Sequence, residues 1–256
     1  MIYERKYIDH PVTRPRIPLT VVKKIVCHWT ANRAKGAGAD AHFNYFNNGA
    51  PYKDKTGAIK SRPASAHYVV DDLKVIQLLP ENEIGYHVGD RNFGGKYAPL
   101  GRTLIGPGKP TPNYCTIGYE ICVNQDGDFA DTEINSYDLA AWLLFRHGLG
   151  IDDLVRHYDL TGKKCPQMYL ENDKWRVYKE RVLEIWGHYT RMYKRRIVTA
   201  PELNVRSGPG VEHPVKYKLQ QGEIIAVADG SLWQQIEPVD TLTAGGFINT
   251  KFTREI

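Results

Sequence analysis

Apolar positions along the chain follow two regimes. Up to about residue 187, short β-branched runs alternate with longer segments of helical period. VVKKIVCHW (21–29) predicts a buried strand. AHYVVDD (66–72) and KVIQLLP (74–80) predict paired strands joined by a tight turn. TIGYEICVN (116–124) predicts a further strand, ended by Asn124, Asp126 and Gly127. ADAHFNYFNN (39–48) reads as a short helix, with Asp40 near its N-cap and Asn48-Gly49 as its stop. SYDLAAWLLFRHG (136–148) predicts a helix capped by Ser136 and closed at His147-Gly148. DKWRVYKERVLEIW (173–186) predicts a second, with Trp175, Tyr178, Val182 and Ile185 on one face. Strands interspersed with helices indicate an α/β domain.

After residue 196 the pattern becomes a series of short β-type runs, among them LNVR, VKYKL, EIIAVA, LWQQIE and GGFINTKF, cut by Gly, Pro or polar turns. About sixty residues of this kind predict a small barrel. The chain therefore divides into 1–187, a basic connector at 188–196 (HYTRMYKRR) and 197–256. The connector reads as a linker or helix tail, its charge a solvated face or a contact with an anionic polymer. Residues 91–114 are rich in Gly and Pro, and so long a loop in a compact domain is often functional.

Composition adds bounds. The 256 residues are 42% hydrophobic and 25% charged, as in folded globular chains. The net charge of +5 resolves into +7 before residue 197 and −2 after it. That imbalance suits an anionic setting and is too weak to indicate nucleic acid. No run approaches the ~18 apolar residues of a membrane span. The opening MIYERKYIDHPVTRPR lacks the apolar core of a secretory leader, so synthesis in the cytoplasm is expected. Cys27, Cys115, Cys122 and Cys165 do not make a disulfide scaffold at this length.

Candidate chemistry centres on VRHYDLTGKKCPQMY (155–169). Gly162 and Pro166 oppose a continuous helix between His157 and Cys165, so a loop can aim both at one point. His28, at the end of a strand, can supply a third ligand. Two imidazoles and a thiolate leave a fourth zinc position for water, which marks a catalytic rather than a structural site. By spacing alone the triad competes with ordinary readings: nine histidines are present, and a lone Cys is commonly a small buried residue. On sequence alone Glu120 reads as a strand carboxylate facing solvent or pairing with a lysine, and Lys163 as a surface loop cation. His147 reads as a helix C-terminal residue favoured by the macrodipole.

The order VCHWTA, AHYVVDD, TIGYEICVN, RHYDLTGKKCP resembles the type-2 N-acetylmuramoyl-L-alanine amidases of phage endolysins, autolysins and peptidoglycan recognition proteins, over roughly residues 20–187. The resemblance implies a mixed central β-sheet flanked by helices, with one zinc ion per chain. It implies cleavage of the amide between N-acetylmuramic acid and L-alanine in peptidoglycan. The family's zinc ligands fall on His28, His157 and Cys165, its catalytic lysine on Lys163 and its strand glutamate on Glu120, where GYEI replaces GIEI. Non-cleaving recognition proteins typically lack the cysteine, so Cys165 points to an enzyme. His67 and His87 match positions where the family often has histidine near the cleft, for contact with substrate or with groups behind the ligands; Trp29, beside His28, reads as lining the cleft for substrate contact or as core packing. LNVRSGPG (203–210) with AGGFINTK resembles the bacterial SH3-type domain, a peptidoglycan-binding module. Together these imply a monomeric endolysin acting on a Gram-positive wall after release, with neither nucleic acid nor membrane insertion involved. An exported autolysin and a non-catalytic peptidoglycan-binding protein are the rivals.

Overall fold

The β-branched runs of the first regime assemble into one mixed sheet. Its strands are β1 (Ile2–Arg5), β2 (Lys24–Trp29), β5 (Tyr68–Val70), β6 (Lys74–Gln77), β7 (Thr116–Ile121) and β8 (Leu154–Arg156), in the order β1-β6-β5-β7-β2-β8. Only β5 and β6 pair antiparallel; the other neighbours are parallel. A short hairpin, β3 (Tyr52–Lys53) with β4 (Ile59–Lys60), stands apart. The structure is a computed structural model and describes residues 2–89, 111–228, 233–236 and 246–256. Most of the Gly/Pro-rich segment 91–114 lies outside the described residues.

Strand alternation sorts side chains to two faces. On one face Ile25, Cys27, Ile117, Tyr119, Tyr68 and Val70 pack under helices α2 (Phe129–His147) and α4 (Asn172–Met192). On the other, Val69, Ile76 and Cys122 pack with Ala39 and Phe46 of α1 (Ala39–Asn47), while Val26 meets Val155 and Leu160, the latter in the short α3 (His157–Thr161). Each fully buried aliphatic side chain contributes about 1.5–3 kcal/mol relative to exposure.

The N-cap of helix α2 lies eight residues before the expected Ser136. Asp128 is the N-cap, its Oδ1 accepting from the N–H groups of Ala130 and Asp131 at 2.8 and 3.2 Å. Such a cap is worth about 1 kcal/mol. Ser136 is buried inside the helix, its hydroxyl 3.0 Å from that of Tyr178. The helix stops as expected at Gly148, whose φ of +67° suits glycine. His147 stands in the last turn, as expected; it is also largely buried, with Nε2 3.0 Å from the Glu81 carboxylate that also pairs with Arg146 at 2.7 Å.

Beyond α4 the chain enters a seven-stranded antiparallel sheet of β9 (Tyr193–Val198), β10 (Glu202–Arg206), β11 (Val215–Gln220), β12 (Ile224–Ala228), β13 (Trp233–Ile236), β14 (Gly246–Asn249) and β15 (Thr253–Glu255). Its order is β11-β10-β14-β13-β12-β9-β15. Val198, Leu203, Val205, Leu219, Ile225, Val227 and Ile248 form its core. The basic run 188–196 is not a separate connector. Residues 188–192 complete α4, because Tyr189 stacks on Phe145 and meets Trp142; 193–196 open β9, which pairs with β12 and β15. Ala226 of β12 joins the larger core, so the two units touch directly.

Candidate metal centre

His28 is the penultimate residue of β2, on the face of Val26. Across the parallel ladder its Cα partner is Glu120 of β7. His157 follows β8 immediately as the first residue of α3. The chain then turns at Gly162 (φ +78°) and returns, tied by the Tyr158 N–H donating to the Cys165 carbonyl at 2.9 Å. This hairpin-like return carries Cys165 back beside His157.

The three expected ligands converge. Their donor atoms all lie within 4.8 Å of one another, and all three residues are buried. His28 Nδ1 is 3.1 Å from His157 Nδ1 and 3.6 Å from Cys165 Sγ. A tetrahedral zinc ion with bonds of about 2.0–2.1 Å to nitrogen and 2.3 Å to sulfur spaces its ligands about 3.3 Å (N to N) and 3.6 Å (N to S) apart. The donor set therefore fits zinc in both softness and spacing, with a fourth position left over. His157 Nε2, on the far side of its ring, is buried without a hydrogen-bond partner among the described residues.

Burial sets the charge states. It drives His28 well below the ordinary histidine range, helped by His157, His87 and Lys163. Burial and Lys163 lower His157 to about 3. Both imidazoles are thus neutral, as ligation requires. Burial, with Glu120 adding to it, pushes the Cys165 thiol up to about 12; the Trp29 backbone N–H and Lys163 oppose it. A divalent cation displaces that proton on binding.

The Glu120 carboxyl beside them is perturbed as well. Burial raises it to about 8 against the pull of Lys163, and its Oε2 is buried with no hydrogen-bond partner among the described residues. A group poised near neutrality can both take and return a proton. Lys163 is exposed, two residues before Cys165, with its ammonium acting on Glu120, His157 and Cys165. Of the exposed cation's alternatives, this placement favours a charge at the mouth of the site.

The remaining candidates are not surface contacts around the ligands. His67 is fully buried; its Nε2 donates to the Glu83 carbonyl at 2.9 Å and its Nδ1 accepts from the Gly118 N–H at 3.2 Å. His87 is also buried and lies behind His28, with its Nδ1 3.0 Å from His28 Nε2. Neither offers surface to a polymer. Alternation turns Trp29 away from the His28 face. It lines a groove of about 330 Å³ with Phe129, Met168 and Gln167, with Arg33 over its ring at 6.0 Å. Asn113, Thr116 and Gly118, which surround His87, were not singled out by the sequence. The one available signal was a glycine in the interior of a strand, which marks a close approach.

Comparison with known proteins meets this geometry. Residues 18–168 match the N-acetylmuramoyl-L-alanine amidase family. The amidase BlyA of Bacillus subtilis (strain 168) is 38% identical over 189 residues, covering 71% of this chain and 47% of that protein. The chain thus spans about half the length of the curated relatives it matches. Among solved structures, a mutant endolysin from Bacillus subtilis is 35% identical with a TM-score of 0.54, and the catalytic domain of XlyA is 33% identical with a TM-score of 0.53. Each alignment covers 71% of this chain and 99% of the other.

Proposed function

The chain belongs to the N-acetylmuramoyl-L-alanine amidase family, and on that premise we propose that it hydrolyses the amide between N-acetylmuramic acid and L-alanine of peptidoglycan in a zinc-dependent reaction. The observation that carries this is the convergence of His28, His157 and Cys165 with Glu120 beside them across the β2–β7 ladder. His28, His157 and Cys165 would hold one zinc ion, which would supply Lewis acidity toward the scissile carbonyl and a lowered pKa for water.

Glu120 takes a proton from the attacking water and returns it to the amine of L-alanine as the amide breaks. Its elevated proton affinity suits the second step as well as the first. The Lys163 ammonium, held at the mouth of the site, stabilises the negative charge that develops on the carbonyl oxygen. Burial of the ligand side chains excludes water from behind the site and strengthens these interactions.

We assign residues from Tyr193 onward to an SH3-type module that binds peptidoglycan and raises the local concentration of the amidase on its polymer. The support is the LNVRSGPG run, whose first residues form β10 and whose Ser-Gly-Pro-Gly forms the turn after it. The basic amidase unit suits the anionic polymers of Gram-positive walls. An endolysin role is supported by the likeness to a solved endolysin, and our reading extends it to a monomer acting during phage lysis. Among the described residues no helix is long and apolar enough to cross a membrane.

Mass spectrometry of digests of defined Gram-positive walls tests the activity. Free L-alanine amino termini are expected, with about one zinc per chain in the purified protein. New reducing sugars without such termini would contradict it.

A further inference from the structure

We propose that His87 fixes the ring tautomer of His28, so that the His28 Nδ1 lone pair is presented to the metal. The proposal rests on the metal reading above and deepens it: His87 is a positioning residue, acting through His28.

The assignment follows from which atoms can donate. His87 Nε2 lies 3.4 Å from the Thr116 carbonyl oxygen and 3.3 Å from Thr116 Oγ1. The Thr116 hydroxyl itself donates to the Pro112 carbonyl at 2.9 Å, so its oxygen is left as an acceptor. Both neighbours of His87 Nε2 therefore accept, and the neutral ring carries its hydrogen on Nε2. Its Nδ1 is then a lone pair, 3.0 Å from His28 Nε2. His28 must donate from Nε2, which leaves its Nδ1 bare. That bare nitrogen is the one facing His157 and Cys165 at 3.1 and 3.6 Å.

The surroundings hold His87 in this position. The buried Asn113 carboxamide oxygen accepts the backbone N–H groups of His87 and Val88 at 3.2 and 2.8 Å. The ring occupies the space over Gly118, where a Cβ would stand 2.4 Å from His87 Nδ1. Any side chain at 118 would push the ring away from His28. His67, pinned at both nitrogens, closes the far side with its ring 5.6 Å from that of His87. A ligating histidine with its second nitrogen hydrogen-bonded is oriented and made more basic, and losing such a partner costs about 10–100-fold in metal affinity.

Two measurements on the full chain test this. In two-bond 1H–15N NMR spectra of the metal-free chain, His28 is expected to be protonated at Nε2. In the zinc-loaded chain a coupling across the hydrogen bond should link His28 Nε2 to His87 Nδ1. His28 protonated at Nδ1 in the metal-free chain would overturn the proposal. In chelator competition, His87→Phe should bind zinc about 10–100-fold more weakly. His87→Asn, whose Oδ1 takes the place of Nδ1, should stay within about threefold of the parent. Equal affinity in the phenylalanine variant, or an asparagine variant as weak as it with an intact circular-dichroism spectrum, would reduce His87 to a filler of space and overturn the proposal. If His87→Phe does not fold, the His28 tautomer and the asparagine variant decide. A parent chain that takes no zinc would overturn the metal reading, and the metal-free tautomer would still decide the role of His87.

Discussion

Around the six-stranded sheet, His28, His67, His87 and His157 are buried among aliphatic side chains. The seven-stranded sheet has a core of Val198, Leu203, Val205, Leu219, Ile225, Val227 and Ile248, and no buried histidine among the described residues. Both units are drawn from β-branched runs, yet they spend their interiors differently. A buried polar group costs about 1–3 kcal/mol when unpartnered. The first unit offsets that cost with the chain of bonds from Glu83 and Gly118 through His67, and from Thr116 through His87 to His28. Among the described residues it leaves Glu120 Oε2 without a partner beside the ligands, where water or substrate would supply one, and His157 Nε2 without one on the side of its ring away from them. Among the described residues the second unit shows no such chain of buried histidines. The contrast is between a unit whose interior holds proton-carrying and ligating groups and one whose described core is aliphatic.

The sharpest way to break that contrast is to remove a ligand. His28→Ala and Cys165→Ser should lower zinc from about one per chain to near none, with hydrolysis falling by about a thousandfold or more. Retention on insoluble walls should persist, because the seven-stranded sheet is untouched. Elemental analysis alongside an amino-terminus assay checks both, and undiminished hydrolysis by a zinc-free variant would sink the metal assignment. A smaller effect is expected of Glu120→Gln. It should keep zinc and lose about 10²–10⁴-fold in turnover, the usual share of a general base. Full turnover in this variant would remove Glu120 from the reaction.

How far the site was legible in the sequence differs between the ligands and what lies behind them. His28, His157 and Cys165 could be selected because a strand end and a Gly/Pro-broken loop can aim side chains at one point, and because the motif order resembles a known family. The backing of His28 could not be selected in the same way. His87 lies 59 residues from His28 and Thr116 another 29 from His87, and only the β5-β7-β2 strand order brings them together. Nothing in a linear pattern says that His87 faces inward, so the choice between substrate contact and a place behind the ligands stays open in the sequence. Gly118 held the missing information, since a strand-interior glycine predicts a close neighbour. The mixed sheet was legible from its β-branched runs, whereas the start of α2 was not. Asp128 sits among polar turn residues that looked like the end of the preceding strand, and Ser136 had the right chemistry for a cap in the wrong place.

A cavity in the second core probes the contrast from the other side. Ile225→Ala should destabilise the seven-stranded sheet by about 2–5 kcal/mol, from lost burial plus the void left behind. Retention on walls should fall, while zinc content and hydrolysis of a small soluble muropeptide stay near the parent. Equal loss of both activities would mean that the contact through Ala226 makes the second sheet a structural support of the amidase unit rather than an independent binding module.

The mildest perturbation is acid, and it should act on one sheet only. Burial holds the folded pKa of His67 at about 4, against an ordinary value of 6.5. Between those values the unfolded chain binds a proton that the folded chain does not. Stability therefore falls as pH drops from about 6.5 towards 4, by about 2 kcal/mol at pH 5 from this residue alone. Glu81 stays out of that window. Burial would raise its carboxyl, but Arg146 and His147 hold it below the usual range. Its contribution is present above the ordinary value of 4.5 and is lost only below it. Urea titrations at pH 7 and pH 5, followed by isoleucine-methyl NMR, separate the two units: Ile25 and Ile117 report the first, Ile225 and Ile248 the second. The midpoint of the first pair should shift with pH and that of the second should not. His67→Gln should remove the part of the shift that belongs to this histidine. Coincident shifts in both pairs would break the comparison, because they would make the two sheets one cooperative unit joined through β12 and α2.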